Sequence, residues 1–174
     1  PSTQLALGGE LFALIEEMDS LPENAVRFYS ASVTLALTHL HDQGFIYRDL
    51  KPENLLLDSN GCLKVCDLGL AKRSARTFTV VGTPQYLSPE LLRGEGATMA
   101  SDWWALGVLV FEMTTGELPF ISSRYAAIDC DCVLLGPFAC SICTLIQCLK
   151  PLTFRACFVC ATVEPTRRSS LSSS

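Results

Sequence analysis

Apolar residues recur at helical spacing in the first quarter of the chain, where they form two stripes. The first stripe consists of Leu11, Phe12, Leu14, Ile15 and Met18. The second consists of Val26, Tyr29, Val33, Leu37 and Leu40. Because residues three and four apart share one helix face, the pattern predicts a short amphipathic helix and then a longer one that starts near Pro22. Gly44 stands where a glycine commonly ends a helix. We expect His41, in the last turn, to be structural or solvated rather than a metal ligand.

Two short apolar runs, 55–57 and 63–65, flank a tight-turn sequence. Asn60-Gly61 lies between them, and this dipeptide is the strongest short-range signal for a β-hairpin. A hairpin folds the chain back on itself. We therefore expect Asn54, at its entry, to face Asp67, just past its exit.

Residues 102–113 form the most hydrophobic stretch in the first 120 residues. The run includes two tryptophans and leaves no continuous polar face, which predicts a buried central helix. Gly116 and Pro119 are expected to end it. Because the apolar run between Asp102 and Glu112 is far shorter than the ~20 residues of a membrane span, a transmembrane helix is not expected.

Polar side chains with complementary chemistry surround the predicted hairpin. The oxygens of Asn54 and Asp67 suit Mg²⁺, which takes a few protein oxygens together with substrate phosphates. Asp49 is then free to accept a proton from an attacking hydroxyl. Lys51 can neutralise a transferring phosphoryl group, because this reaction depends on positioning and charge stabilisation. The pattern indicates phosphoryl transfer.

Three motifs carry a family resemblance. The segment 47–54, Tyr-Arg-Asp-Leu-Lys-Pro-Glu-Asn, resembles the H-R-D-L-x-x-x-N catalytic loop with tyrosine in the histidine place. The segment 67–69, Asp-Leu-Gly, resembles D-F-G, and 88–90, Ser-Pro-Glu, resembles A-P-E. In this order they make residues 8–120 similar to the eukaryotic protein kinases. Lys51 points to the Ser/Thr kinases, and Gly82-Thr83-Pro84 with Tyr86 points to the AGC group, especially the cyclic-nucleotide-dependent kinases.

The resemblance implies a fold, two cofactors and a set of site residues. The fold is α+β and protein-kinase-like, represented mainly by the helical large (C-terminal) lobe, with the small lobe absent from this sequence. The cofactors are ATP and Mg²⁺. The implied catalytic residues are Asp49, Lys51 and Thr83, and the implied metal ligands are Asn54 and Asp67. Nucleotide-binding roles are implied for Leu56, as the floor under the adenine, and for Glu10 and Glu53.

Substrate, regulatory and structural roles are implied in the same way. Basic residues of protein or peptide substrates would bind Glu10, Glu53 and Glu112. Thr79 would be the regulatory phosphosite, and its phosphate would bind Arg48 and Lys72. The implied structural residues are Tyr47 and Leu68 in a hydrophobic column, Glu90, and Asp102 on the catalytic-loop backbone. A regulatory cyclic-nucleotide-binding region or subunit is the implied partner.

Composition narrows the remaining possibilities. The net charge of −5 argues against nucleic acid as a partner and is compatible with basic peptide substrates. The N-terminus lacks the charged and apolar regions of a signal peptide, so we expect a cytoplasmic protein without a membrane anchor. Cys62 and Cys66 are expected to be small buried hydrophobes in a reduced protein.

The kinase pattern stops after Phe120, which divides the chain into a partial kinase domain at 1–120 and a Cys/Ser-rich segment at 121–174. The preferred interpretation of 121–174 is a non-homologous, irregular tail, such as a mis-spliced or read-through transcript would produce. A zinc site is an alternative, since two C-x-x-C pairs occur at Cys140, Cys143, Cys157 and Cys160. A membrane-associated segment at 133–149 is another.

Two functions are compatible with these features. The first is a protein Ser/Thr kinase, present as a fragment that is inactive alone because the glycine-rich loop and the ATP-binding lysine are expected before residue 1. The second is a non-catalytic kinase-like binding or regulatory module. The presence of Asp49, Lys51, Asn54 and Asp67 together favours the first.

Overall fold

A computed structural model describes residues 7–120. The elements in chain order are β1 (Gly9–Glu10), α1 (Leu11–Met18), α2 (Glu23–Asp42), β2 (Phe45–Ile46), β3 (Leu55–Leu57), β4 (Leu63–Val65), β5 (Lys72–Arg73), α3 (Pro89–Leu92) and α4 (Met99–Thr115). Two short 3-10 turns lie at Pro52–Asn54 and Pro84–Tyr86. The predictions for 121–174, including the zinc and membrane alternatives, fall outside the described residues.

The core lies between α2 and α4, which pack against each other. The stripe predicted for α2 is confirmed, since Val26, Tyr29, Val33 and Leu37 are buried and Leu40 is partly buried. Burial of such a stripe supplies most of the stability of a helix of this length, because isolated helices are marginal in water. The predicted central helix is also confirmed: α4 is buried almost continuously from Ala105 to Met113, with Phe111 partly buried.

Sequence-specific caps fix both ends of α4. At its N-terminus, Thr98 and Ser101 form a reciprocal capping box. At its C-terminus, Gly116 adopts a φ of 75°, and a Cβ there would lie 1.7 Å from the carbonyl oxygen of Asp19. Glycine is therefore required by both its backbone conformation and this close approach.

Two small antiparallel sheets complete the fold. The three-stranded sheet has the order β1-β3-β4, and the two-stranded sheet pairs β2 with β5. The predicted hairpin is confirmed as β3 and β4, which pair Leu55 with Val65 and Leu57 with Leu63. Its turn is closed by the Gly61 N–H, which donates to the Asp58 carbonyl at 3.0 Å.

The described part is mainly helical with small sheets, so the α+β fold class is confirmed. Among residues 7–120, no helix combines the length and the apolar character that crossing a membrane requires. The segment that joins β2 to β3 lies over the N-terminal half of α4, and it carries the candidate site.

Candidate active site

Asp102 holds the backbone at the start of the catalytic-loop segment, as the resemblance implied. It is 1% exposed, and its carboxylate accepts hydrogen bonds from the Tyr47 N–H at 2.9 Å and the Arg48 N–H at 2.8 Å. Nε2 of His41 lies 2.7 Å from the same carboxylate. Arg48 has a φ of 72°, a conformation that costs energy for a residue with a Cβ. These bonds stabilise that conformation and fix the residue before Asp49.

Asp49, Lys51 and Thr83 form one hydrogen-bonded group. The Thr83 hydroxyl donates to Asp49 Oδ1 at 3.2 Å and accepts from Lys51 Nζ at 3.1 Å. Lys51 Nζ also lies 3.4 Å from Asp49 Oδ2. Thr83 reaches the catalytic loop because the backbone at Gly82 passes so close that a Cβ would lie 2.5 Å from the Arg48 carbonyl oxygen. The structure thus brings together the three side chains predicted to be catalytic.

Asn54 and Asp67 lie at the open end of the hairpin, as predicted. The Cys66 N–H donates to the Asn54 carbonyl at 2.9 Å, which brings the residue before Asp67 against Asn54, the last residue of the 3-10 turn that leads into β3. The Asn54 amide nitrogen donates to the carbonyl and to Oδ2 of Asp49, both at 2.9 Å. Because both bonds use the nitrogen, the amide oxygen stays available as a ligand.

The residues present fit a magnesium ion. Asp67 Oδ1 accepts from the Gly69 N–H at 3.0 Å, and a carboxylate has further lone pairs. Asn54 and Asp67 therefore offer two hard oxygen donors, which suit Mg²⁺ when phosphate oxygens and water complete its shell. Within residues 7–120, no cluster of three His, Cys, Asp or Glu side chains could hold a metal, so a thiolate or imidazole site is not formed there.

Tyr47 is fully buried, whereas Leu68 is not. The Tyr47 hydroxyl donates to the Cys66 carbonyl at 2.6 Å, and burial raises the pKa of this phenol above its usual range. Leu68 is 54% exposed. Tyr47 thus lies in the core, whereas about half of the Leu68 side chain, past the end of β4, is open to solvent. The column of these two side chains stays a prediction.

Glu10, Leu56 and Lys64 lie side by side across the three-stranded sheet. Glu10 pairs with Leu56, and Leu56 pairs with Lys64. Cross-strand partners point to the same face, so a partly exposed leucine is flanked there by an acid and a base. This arrangement fits the role of Leu56 as an apolar floor, with Glu10 at its edge.

Glu112, which the resemblance implied as a binding residue for basic substrates, is a buried carboxylate. It is 7% exposed, and the Tyr86 hydroxyl donates to its Oε2. Burial and the nearby charge of Glu53 raise the pKa of the Glu112 carboxyl. Glu53 itself is exposed. The structure therefore places one buried and one exposed carboxylate close enough to interact.

In the activation segment, residues 70–90, Lys72 contacts a threonine other than the proposed phosphosite Thr79. Lys72 Nζ donates to the Thr77 hydroxyl at 3.2 Å. Thr77 is 2% exposed and exchanges backbone hydrogen bonds with Ala97, whereas Thr79 is exposed. Arg48 Nε donates to the Leu70 carbonyl at 2.7 Å. Its Nη1 is buried and has no hydrogen-bond partner within residues 7–120.

Glu90 accepts a hydrogen bond from the Ser101 hydroxyl at 2.7 Å. Ser101 belongs to the cap of α4 and precedes Asp102. Glu90 is thus connected through Ser101 to Asp102, whose carboxylate holds the catalytic-loop backbone.

Sequence reasoning missed His41, Tyr86 and Ser101 as partners of site residues. His41 lies 61 positions before Asp102, and Tyr86 lies 26 positions before Glu112. No local pattern reports such separations. For Ser101, the Thr98 capping sequence was a usable signal, since it places the serine in the first turn of α4.

Comparison with known proteins agrees with this geometry. The profile described as "Protein kinase domain" matches residues 3–139. The chain is 51% identical over 114 residues to a cAMP-dependent protein kinase catalytic subunit of Arthrobotrys oligospora, an alignment that covers 65% of the chain and 22% of the relative. It is 48% identical over 122 residues to the subunit of the same name in Dictyostelium discoideum, covering 70% and 19%. A cGMP-dependent protein kinase of Toxoplasma gondii is 47% identical over 119 residues, covering 68% and 12%.

The chain thus spans less than a quarter of the length of these three relatives. The profile match covers most of the chain and includes the catalytic-loop segment, the hairpin and α4. The chain belongs to the protein kinase domain family, and its relatives place it in the AGC group.

Proposed function

We propose that this chain carries the large-lobe half of a protein Ser/Thr kinase site, which transfers the γ-phosphoryl group of ATP to a hydroxyl of a protein substrate. The observation that carries the proposal is the Asp49–Thr83–Lys51 group, in which a carboxylate and an ammonium share one threonine hydroxyl. The buried Asn54 amide fixes the other side of Asp49.

Each of these side chains has a role in the transfer. The substrate hydroxyl oxygen forms a bond to the γ-phosphorus, the bond to the β,γ-bridging oxygen breaks, and Asp49 accepts the hydroxyl proton. Lys51 stabilises negative charge on the transferring group. Thr83 fixes the relative position of Asp49 and Lys51, because its hydroxyl bonds to both.

Asn54 and Asp67 would hold Mg²⁺. The ion, when bound, neutralises phosphate charge in the transition state. The Asn54 amide is pre-oriented for this role by its two bonds to Asp49. Asp67 adopts a φ of 50°, an unusual conformation for a residue with a side chain, and such outliers concentrate at functional sites. Leu56 and Glu10 would contact the adenosine part of ATP.

Specificity for serine or threonine is supported by the Lys51–Thr83 contact. Lys51 lies 3.1 Å from Thr83 and 3.4 Å from Asp49, so its ammonium stands beside the carboxylate, as the resemblance to the Ser/Thr kinases implies.

The acidic side chains favour basic substrates. Glu53 is exposed and interacts with Glu112, which is buried. A guanidinium or ammonium bound between them would relieve their repulsion and form charge-assisted hydrogen bonds. Glu10 lies at the edge of the same lobe on β1. We expect arginine or lysine two to three residues before the phosphorylated hydroxyl.

Two observations support regulation through Thr79. The Thr79 side chain is exposed, and a buried guanidinium nitrogen of Arg48 has no hydrogen-bond partner within residues 7–120. Thr79 is accessible to a modifying enzyme, whereas Thr77 is buried. A phosphate on Thr79 would offer oxygens to the unpaired Nη1 of Arg48. The Lys72 ammonium has three N–H donors, of which one bonds to Thr77, so Lys72 could add a charge-assisted hydrogen bond to the phosphate.

We further propose that the 174-residue chain assayed alone transfers phosphate poorly. No G-x-G-x-x-G sequence, of the kind that covers nucleotide phosphates in kinases, occurs in it. Without such a cover the phosphates stay hydrated and poorly aligned. A cyclic-nucleotide-binding regulatory region or subunit completes the proposal and is supported by the names of the relatives alone. The cytoplasmic location stays a prediction.

The test compares the chain with a chimera in which the small lobe of a cAMP-dependent protein kinase precedes residue 7. We expect the chimera to phosphorylate serine and threonine peptides that carry upstream arginines, and not the matched tyrosine peptide. Asp49→Asn in the chimera should remove activity while leaving Mg-ATP binding intact, whereas Asp67→Asn should weaken Mg-ATP binding. A chimera that binds Mg-ATP but gives the same rate as its Asp49→Asn variant would contradict the proposal and favour a non-catalytic module.

A further inference from the structure

A small cavity lies beneath the catalytic loop, where three segments of the chain meet. Its volume is about 20 Å³. Polar residues contribute to all of its walls: Arg48 and Asp49 from the catalytic loop, Thr83 and Ser88 from the end of the activation segment, and Ser101 and Asp102 from α4. A cavity needs about 10–15 Å³ to hold one water molecule, so this one has room for a water molecule.

Ser88 gives this cavity a specific chemical character. The residue is 1% exposed, and its hydroxyl has no hydrogen-bond partner within residues 7–120. A buried hydroxyl without a partner costs free energy, and such groups are rare in native proteins. Ser88 also stands where the A-P-E motif has alanine. The hydroxyl is therefore an addition to the motif, at a site where it needs a partner.

The cavity also contains an acceptor with remaining capacity. Most polar wall groups are already engaged: the Thr83 hydroxyl bonds to Asp49 and Lys51, and the Ser101 hydroxyl bonds to Glu90 and the Thr98 N–H. Within residues 7–120, Oδ2 of Asp102 has two partners, whereas Oδ1 has the Arg48 N–H alone. A carboxylate oxygen can accept a further hydrogen bond.

We propose that this cavity binds a single structural water molecule, which accepts a hydrogen bond from the Ser88 hydroxyl and donates one to Asp102 Oδ1. The water would satisfy the Ser88 hydroxyl and join the end of the activation segment to the residue that holds the catalytic-loop backbone. Bridging waters of this kind contribute nearly as much as direct hydrogen bonds. The proposal rests on the fold alone, so it is independent of whether the chain is an active kinase.

The sign of a stability change tests the proposal in the full 174-residue chain. If the Ser88 hydroxyl has no partner, Ser88→Ala removes a costly buried group, and the midpoint of thermal unfolding stays level or rises. If the hydroxyl binds water, the same change removes a hydrogen bond. We then expect the midpoint to fall by about 2–4 °C, the shift that a bond of ordinary strength gives in a chain of this size.

Ser30→Ala is the matched control. Ser30 is 0% exposed and its hydroxyl likewise has no partner within residues 7–120, but it does not line this cavity. Its midpoint should stay level or rise. A Ser88→Ala midpoint that equals or exceeds the wild-type value would overturn the proposal.

A high-resolution crystal structure supplies the second measurement. We expect one ordered water within hydrogen-bond distance of Ser88 Oγ and Asp102 Oδ1, and its loss in Ser88→Ala. A cavity without density, or a Ser88 side chain rotated onto a main-chain carbonyl, would overturn the proposal.

Discussion

Among the Asp→Asn and Glu→Gln substitutions, Asp102→Asn should destabilise the chain most. The carboxylate is 1% exposed and accepts from the Tyr47 N–H, the Arg48 N–H and the His41 ring. Asparagine keeps one acceptor oxygen and presents a donor in place of the other, so at least one of these donors faces another donor. Hydrogen bonds to charged groups contribute about 1.5–3 kcal/mol each. Removing one partner of a buried ion pair costs about 3–5 kcal/mol.

That loss is a large share of the stability of a small domain, which is about 5–15 kcal/mol. We expect Asp102→Asn to lower the thermal midpoint by about 10 °C and to shift the urea midpoint without changing the slope of the transition. Faster amide exchange at Arg48 should accompany it, because that N–H loses its acceptor and the residue has a positive φ.

Asp58→Asn is the matched control for Asp102→Asn. Asp58 Oδ1 also accepts two backbone N–H groups, from Asn60 and Cys62, but it does so in the solvent-facing hairpin. Water can replace the lost acceptor there, so the midpoint should change much less. Equal shifts for the two variants would refute the argument that burial determines the effect.

Three further predictions concern other parts of the structure. The pKa of Glu112 is raised by burial and by a nearby charge, so the folded chain binds this proton more tightly than the unfolded chain. The folded chain therefore loses stability as pH rises from the pKa of Glu112 in the unfolded chain to its pKa in the folded chain. Glu112→Gln should remove that loss, and urea midpoints measured from pH 4 to 7 should diverge from the wild-type values as pH rises; parallel curves would contradict this. Thr77→Ala should lower the free energy of unfolding by about 1 kcal/mol, because the Thr77 hydroxyl is buried and hydrogen-bonded, and the thermal midpoint should fall accordingly. Thr79→Ala should leave the thermal midpoint unchanged. It should instead abolish phosphate incorporation by an activating kinase, as mass spectrometry would show. Gly116→Ala should cost about 2 kcal/mol or more in urea unfolding, because a Cβ would collide with the Asp19 carbonyl; a neutral result would mean that the end of α4 can unwind freely.

Local pattern was sufficient for α1, α2, α4 and the β3–β4 hairpin. The stripe from Val26 to Leu37 predicted α2 because helical spacing reports which face is buried, and Asn60-Gly61 predicted the hairpin because its turn geometry depends on adjacent residues. The order of the three motifs predicted Asp49 and Asp67 as site residues, since these motifs record chemistry that a family shares, and their roles stay predictions. The domain boundary at 120 and the character of the tail stay predictions.

Tertiary structure alone decided which side chains meet. His41 lies against Asp102 across 61 positions, the Tyr86 hydroxyl bonds to Glu112 across 26 positions, and Lys72 bonds to Thr77. These outcomes depend on how α4 packs under the catalytic loop and on where the chain turns after β4. Hydrophobic periodicity specifies a residue's face within its own element, but not the partner from a distant element that comes to lie against it. Burial of Glu112 and the cavity at Ser88 arise in the same way, from the meeting of segments that the sequence keeps apart.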